Sequence, residues 1–124
     1  MKTLRVGIST YAEMKARTVA ISRGLNRVAD EPKVWFTSTE SFAKVLSAGN
    51  RELLRIIVEA APASLEELSQ LTGRAKSNLS RTLKTMAAYG LVRLEAGERG
   101  RIAPKVLCDK VELELPIAQS RKIS

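Results

Sequence analysis

Apolar positions recur along this chain in two alternating periods. Residues 3–8, TLRVGI, set Leu4, Val6 and Ile8 on one side and Thr3, Arg5 and Gly7 on the other. That period of two predicts a half-buried strand. From Tyr11 the period lengthens: Tyr11, Met14, Thr18, Ile21, Leu25 and Val28 recur every three or four residues, a short heptad-like helical seam broken near Gly24. Its outer side carries Lys15, Arg17, Arg23 and Arg27. The seam fits equally well against its own domain or against a second copy.

Past a turn at 26–32 ending in Pro32, KVWFTS (33–38) is a short β-branched and aromatic strand. Thr37 with Glu40 fits a capping box, opening a helix with Phe42, Val45 and Leu46 inward and a stop at Gly49. Asn50 is the expected cap of the next helix, whose stripe is Leu53, Leu54, Ile57 and Val58, closed by Pro62. Ser64 and Glu67 form another capping box, with Leu65, Leu68 and Leu71 inward. Gly73 supplies a tight turn before RAKSNLSRTLKTMAAYGLV, a helix over about 75–89 stopped by Gly90. Residues 91–103 read as a hairpin turning at Gly97–Gly100 and ended by Pro104. KVELELP (110–116) alternates again, Val111, Leu113 and Leu115 against Lys110, Glu112 and Glu114, and 117–124 is an expected disordered tail.

At about 100° per residue, the 75–89 helix separates its side chains cleanly. Leu79, Leu83 and Met86 share one face, with Tyr89 beyond them. Ser77, Arg81 and Lys84 share the opposite face, flanked by Arg74 and Asn78, with Lys76 and Ser80 at the border. Helix, helix, Gly-containing turn, helix and hairpin is the order of a winged helix-turn-helix. The expected fold class is therefore α+β: a three-helix core and a β-hairpin wing, with an N-terminal strand-helix extension. The expected domains are an arm over 1–32 for dimerisation, a DNA-binding unit over 33–116, and a tail over 117–124.

Charge sharpens this picture. The 124 residues carry a formal net charge of +8, which points to a polyanionic partner. Residues 74–101 hold seven cations against two carboxylates. An α-helix fits the major groove; Arg81 can pair with guanine in bidentate fashion and Asn78 can read adenine. Lys84, Ser77 and the first helical amides suit phosphate. Arg99 and Arg101 at the wing tip suit the minor groove or the backbone. The candidate DNA-binding residues are Arg74, Lys76, Ser77, Asn78, Ser80, Arg81, Lys84, Arg99 and Arg101.

Other chemistry is thinly represented. There is no histidine and a single cysteine, Cys108, so no zinc set, Cys–His nucleophile or internal disulfide can be assembled. GERG (97–100) lacks the Lys-Ser/Thr of a P-loop. The aromatic content of 4% is poor for base stacking on single strands. A Ser–Lys hydrolase built on Ser77 or Ser80 has no visible oxyanion site. The expectation is a non-enzyme that needs no cofactor or metal. No signal-peptide pattern or apolar span is seen, and the expected setting is cytoplasmic.

The run SLEELSQLTGRAKSNLSRTLKTMAAYGLVRLEAGERGRIAP resembles the small MarR/ArsR-like winged-helix regulators of bacteria and archaea. The resemblance extends back through KVWFTSTESFAKVLSAGNRELLRII and forward to VELELP, and GR…NLSRTLKTM…YGLV is its most specific part. It implies a DNA-binding transcriptional regulator, a repressor, with Arg74, Ser77, Asn78, Arg81 and Lys84 at the DNA-reading positions. Relatives of that kind carry an acidic and an aromatic residue where Ala75 and Lys76 stand here, so their base preference does not transfer. Many are antitoxins encoded beside a small toxin, which implies an alternative role in binding and neutralising a partner protein. The two alternating strands and the heptad seam give the expectation of a homodimer, built on the N-terminal strand and the 11–28 helix with the 110–115 strand alongside. Such a dimer would bring two recognition helices to successive major grooves of double-stranded DNA about 34 Å apart.

Overall fold

The computed structural model describes residues 2–9, 34–115 and 117. The seam over 11–28 lies outside them. Among the described residues the fold is α+β, with four α-helices and two small sheets. In chain order the elements are β1 (Thr3–Ile8), β2 (Val34–Phe36), α1 (Thr39–Val45), α2 (Ala48–Ala60), α3 (Leu65–Thr72), α4 (Lys76–Ala88), β3 (Val92–Ala96), β4 (Ile102–Val106) and β5 (Lys110–Glu114).

The alternation at 3–8 does form a strand, and its place is central. The first sheet runs β2-β1-β5 with both pairings parallel. Both edges of β1 are thus occupied within the chain, and the strand of the expected arm shares a sheet with two strands of the 33–116 unit. Leu4, Val6 and Ile8 share a face with Val34, Phe36, Val111 and Leu113, as the register Val6↔Val34 and Leu4↔Val111 requires. The other face is charged: Arg5 reaches Glu114 at 3.3 Å and Glu112 at 4.0 Å. On that face the Trp35 ring lies directly over Gly7. A Cβ on Gly7 would stand 2.4 Å from one ring carbon, so only glycine lets the ring approach.

The helices start and stop for local reasons, several of which differ from the pattern-based expectation. Ser38, not Thr37, caps α1: its extended backbone lets Oγ accept from the Ser41 amide at 3.0 Å. Ser47 caps α2 by accepting from the Asn50 amide at 3.2 Å. Gly49 therefore lies inside α2 and stops nothing. Asn50 looks backward instead, its Nδ2 donating to Val45 O at 3.0 Å and closing the end of α1. Ser64 caps α3 as expected, accepting from the Glu67 amide at 3.1 Å. Gly90, at φ 81°, ends α4. There the Leu91 amide donates to Met86 O and the Gly90 amide to Ala87 O, both at 3.0 Å, a Schellman closure with Leu91 packed on Met86.

Leu53, Ile57, Leu65, Leu68, Leu79, Leu83, Met86, Leu91 and Val92 form the core of the helical layer. Leu68, Leu79, Leu83 and Met86 are wholly buried, each contributing about 1.5–3 kcal/mol of apolar transfer. Leu4 and Val111 pack against this cluster from the sheet. Phe36 stacks on Tyr89 with centroids 4.0 Å apart and meets Phe42 edge-on at 5.3 Å, so aromatic contacts join β2 to α1 and to the end of α4. Val58 and Leu71, expected inside, are about half exposed. Both lie at the edge of their stripes, where one helix of this length cannot be covered all round. Pro104 does not end the hairpin either. It sits buried within β4 opposite Leu94, in a two-stranded ribbon where its missing N–H can turn away from the partner strand.

Candidate nucleic-acid interface

Helix α4 is held by its buried side and presents the rest outward. With Leu79, Leu83 and Met86 fixed in the core, the 3.6-residue period turns Ser77, Arg81, Lys84 and Thr85 to solvent, and all four are exposed. Arg81 and Lys84 make no ion pair among the described residues. Asn78 and Ser80 are half-buried at the border. The Asn78 Oδ1 is shut off from solvent and has no hydrogen-bond partner, an arrangement that costs about 1–3 kcal/mol.

The helix approaches through a tight turn. Gly73, at φ 76°, caps α3 by donating its amide to Ser69 O at 2.8 Å. The Ser69 hydroxyl donates to Arg74 O at 2.7 Å, and the Arg74 amide donates to Thr72 Oγ1 at 3.1 Å. α1, α2 and α3 each begin at a serine cap, whereas α4 begins at Ala75 with no side-chain cap. Its first amides stay open to solvent or an anion.

Two expected contact residues are engaged elsewhere. The Arg74 guanidinium donates from Nη1 to Asn50 Oδ1 at 3.1 Å and from Nη2 to Gly49 O at 3.0 Å. It ties the α3–α4 turn to the first turn of α2, and Asn50 extends the tie to α1. Arg74 thus holds the frame of the turn. Lys76 is exposed but donates to Glu66 Oε2 at 2.5 Å. That bond is the main reason the Glu66 carboxyl lies below its ordinary range; its own backbone amide and the charges of Lys76 and Arg101 add to it. The pull of Arg101 means that the wing and the first turn of α3 share one electrostatic neighbourhood.

The hairpin β3–β4 pairs antiparallel from Val92↔Val106 to Ala96↔Ile102. Its tip closes with the Gly97 amide on Arg101 O at 2.7 Å and the Arg101 amide on Glu98 O at 3.1 Å. Arg99 takes a left-handed backbone, φ 59° and ψ 31°, beside Gly100 at φ 73°. A non-glycine residue there carries about 1–2 kcal/mol of strain. Arg99 and Arg101 are exposed, while Arg93 lower on the hairpin is paired with Glu95 at 2.5 Å. Of the expected contact cations, Arg81, Lys84, Arg99 and Arg101 thus face outward, with Lys76 half-neutralised.

Periodicity alone does not reveal the Arg74–Asn50 tie, because its partners are 24 residues apart. The Glu66–Lys76 pair was equally invisible for the same reason. A separate groove of about 850 Å³ lies between α1, α2 and the β4–β5 segment, lined by Phe42, Leu46, Leu54, Val106 and Val111. Cys108 also faces it, its thiol pushed up by burial and by Asp109. No cluster able to hold a metal ion occurs among the described residues, and none of their helices is long and apolar enough to cross a membrane.

The chain belongs to the HVO_A0114 family, whose model matches residues 45–113, more than half of its length. The matched span runs from the end of α1 through β5 and so contains α2–α4 and the hairpin whole. No curated protein and no solved structure matches the chain.

Proposed function

We propose that this protein is a winged helix-turn-helix regulator that binds double-stranded DNA sequence-specifically and represses transcription, without an enzymatic activity or a cofactor. In this reading α3 and α4 are the helix-turn-helix, α4 enters the major groove, and the β3–β4 hairpin is the wing. The observation that carries it is the outward face of α4: Ser77, Arg81 and Lys84 exposed, the cations without ion-pair partners among the described residues, and the opposite face locked by Leu79, Leu83 and Met86. Arg99 and Arg101 extend the same charge along the wing.

Arg81 would read a base edge, Lys84 and the uncapped start of α4 would hold phosphate, and the wing would meet the backbone or minor groove. Asn78 is a weaker reader than its position suggests, because its carbonyl oxygen is turned inside. The resemblance to MarR/ArsR-like regulators supports the same reading. Its antitoxin members suggest a second role in neutralising a toxin, for which no residue described above supplies a specific surface.

Fluorescence anisotropy with DNA from upstream of its own gene, over a salt series, tests the proposal. Wild type should select one site and weaken with salt by about 0.9 log units per log unit of salt for each phosphate contacted. Arg81→Ala should lose about 5- to 150-fold at that site, the worth of one bidentate base contact. Binding indifferent both to sequence and to Arg81 would leave α4 a solvated helix face and sink the proposal.

A further inference from the structure

Among the described residues, the first sheet ends on an open edge at β5. The Ser9 amide donates to Phe36 O at 2.9 Å, so the odd-numbered residues of β1 turn their backbone groups toward β2 and the even-numbered ones toward β5. On β5 the register then turns Lys110, Glu112 and Glu114 toward β1. Val111 and Leu113 turn their N–H and C=O groups the other way, where no strand among the described residues lies beside them. Leu113 and Leu115 are also 39% and 44% exposed. Unpaired backbone groups beside exposed leucines make an edge that natural sheets cover or blunt.

The charges on this strand say what covers it. Lys110, Glu112 and Glu114 lie on one face with a cation at the start and a carboxylate at the end. In an antiparallel pair with an identical strand centred on Glu112, Lys110 faces Glu114 of the other copy twice over. Val111 then faces Leu113 in two hydrogen-bonded pairs, with their side chains on the apolar face. The two Glu112 carboxylates meet near the axis, each already flanked in its own chain by Lys110 at 3.4 Å and Arg5 at 4.0 Å. The register centred on Leu113 would instead set Glu112 against Glu114 twice.

We propose that a second copy of this chain docks along β5, antiparallel and two-fold symmetric about Glu112, making one six-stranded sheet with the helices of both copies on its same side. The inference is independent of the DNA reading and rests on strand geometry and charge alone.

Sedimentation equilibrium on the full chain tests it. Wild type should be a dimer of twice 13.6 kDa. Lys110→Glu sets carboxylate against carboxylate, and Glu114→Lys sets ammonium against ammonium; each alone should weaken the dimer about ten-fold. Mixed one to one, these two variants should associate as a heterodimer with affinity restored, since every facing pair is again opposite in sign. Leu113→Pro, which removes only an outward N–H, should be monomeric with the α-helical circular dichroism of wild type. A wild-type monomer across the micromolar range overturns the proposal, and so does a strand of another protein found on this edge. A dimer indifferent to both charge reversals, or one not restored by mixing them, overturns it equally.

Discussion

Replacing Arg74 with alanine separates a structural role from a DNA contact. The guanidinium makes two hydrogen bonds, at 3.1 Å to Asn50 Oδ1 and 3.0 Å to Gly49 O. Bonds to a charged group contribute about 1.5–3 kcal/mol each when buried. Here one is exposed and the other part-buried, so the pair together should contribute about 1.5–3 kcal/mol. For a chain of this length that lowers the melting temperature by about 5–10 °C. Differential scanning calorimetry on wild type, Arg74→Ala, Asn50→Ala and the double variant measures the coupling, expected at about 1 kcal/mol. Arg74→Lys should recover little, since a single ammonium cannot span both acceptors. A melting temperature within about 1 °C of wild type, with operator affinity falling instead, would refute the structural assignment and return Arg74 to the interface.

Two further substitutions have defined outcomes. Glu66→Gln releases Lys76 from its carboxylate and should tighten DNA binding several-fold, steepening the salt slope by up to about 0.9, read by anisotropy. The Glu66 carboxyl lies below its ordinary value of 4.5, so its ion pair contributes to wild-type stability at neutral pH. That contribution fades as pH falls through the lowered value, and Glu66→Gln should remove it from acid titrations followed by circular dichroism. Gly7→Ala places a methyl 2.4–2.9 Å from the Trp35 ring and should cost about 1–3 kcal/mol in urea unfolding.

The helical half of the fold was legible because it obeys local rules. Leu79, Leu83 and Met86 at helical spacing predicted their own burial, and Gly73 and Gly90 marked ends that the backbone makes left-handed. The caps were legible only in kind. Several Ser, Thr and Asn residues stand near each helix start, and small shifts in backbone angle decide which hydroxyl meets the amide, as with Ser38 in place of Thr37. The sheet was hidden because parallel pairing joins residues a hundred positions apart, as Arg5 and Glu112 are. Alternation in TLRVGI announced a strand without naming its neighbours. For the basic face, composition located the cations, but only the fold separates Arg81 and Lys84 from Arg74, whose guanidinium is bonded to Asn50 and Gly49, and from Lys76, which is paired with Glu66.

The Trp35 ring over Gly7 is the chain's single indole. Its emission comes wholly from the β1–β2 contact, while the helical ellipticity of the described residues comes from α1–α4. The molecule thus carries an optical label on one layer and an independent signal from the other. Any gap between the two unfolding curves measures how far the sheet loosens while the helices still hold.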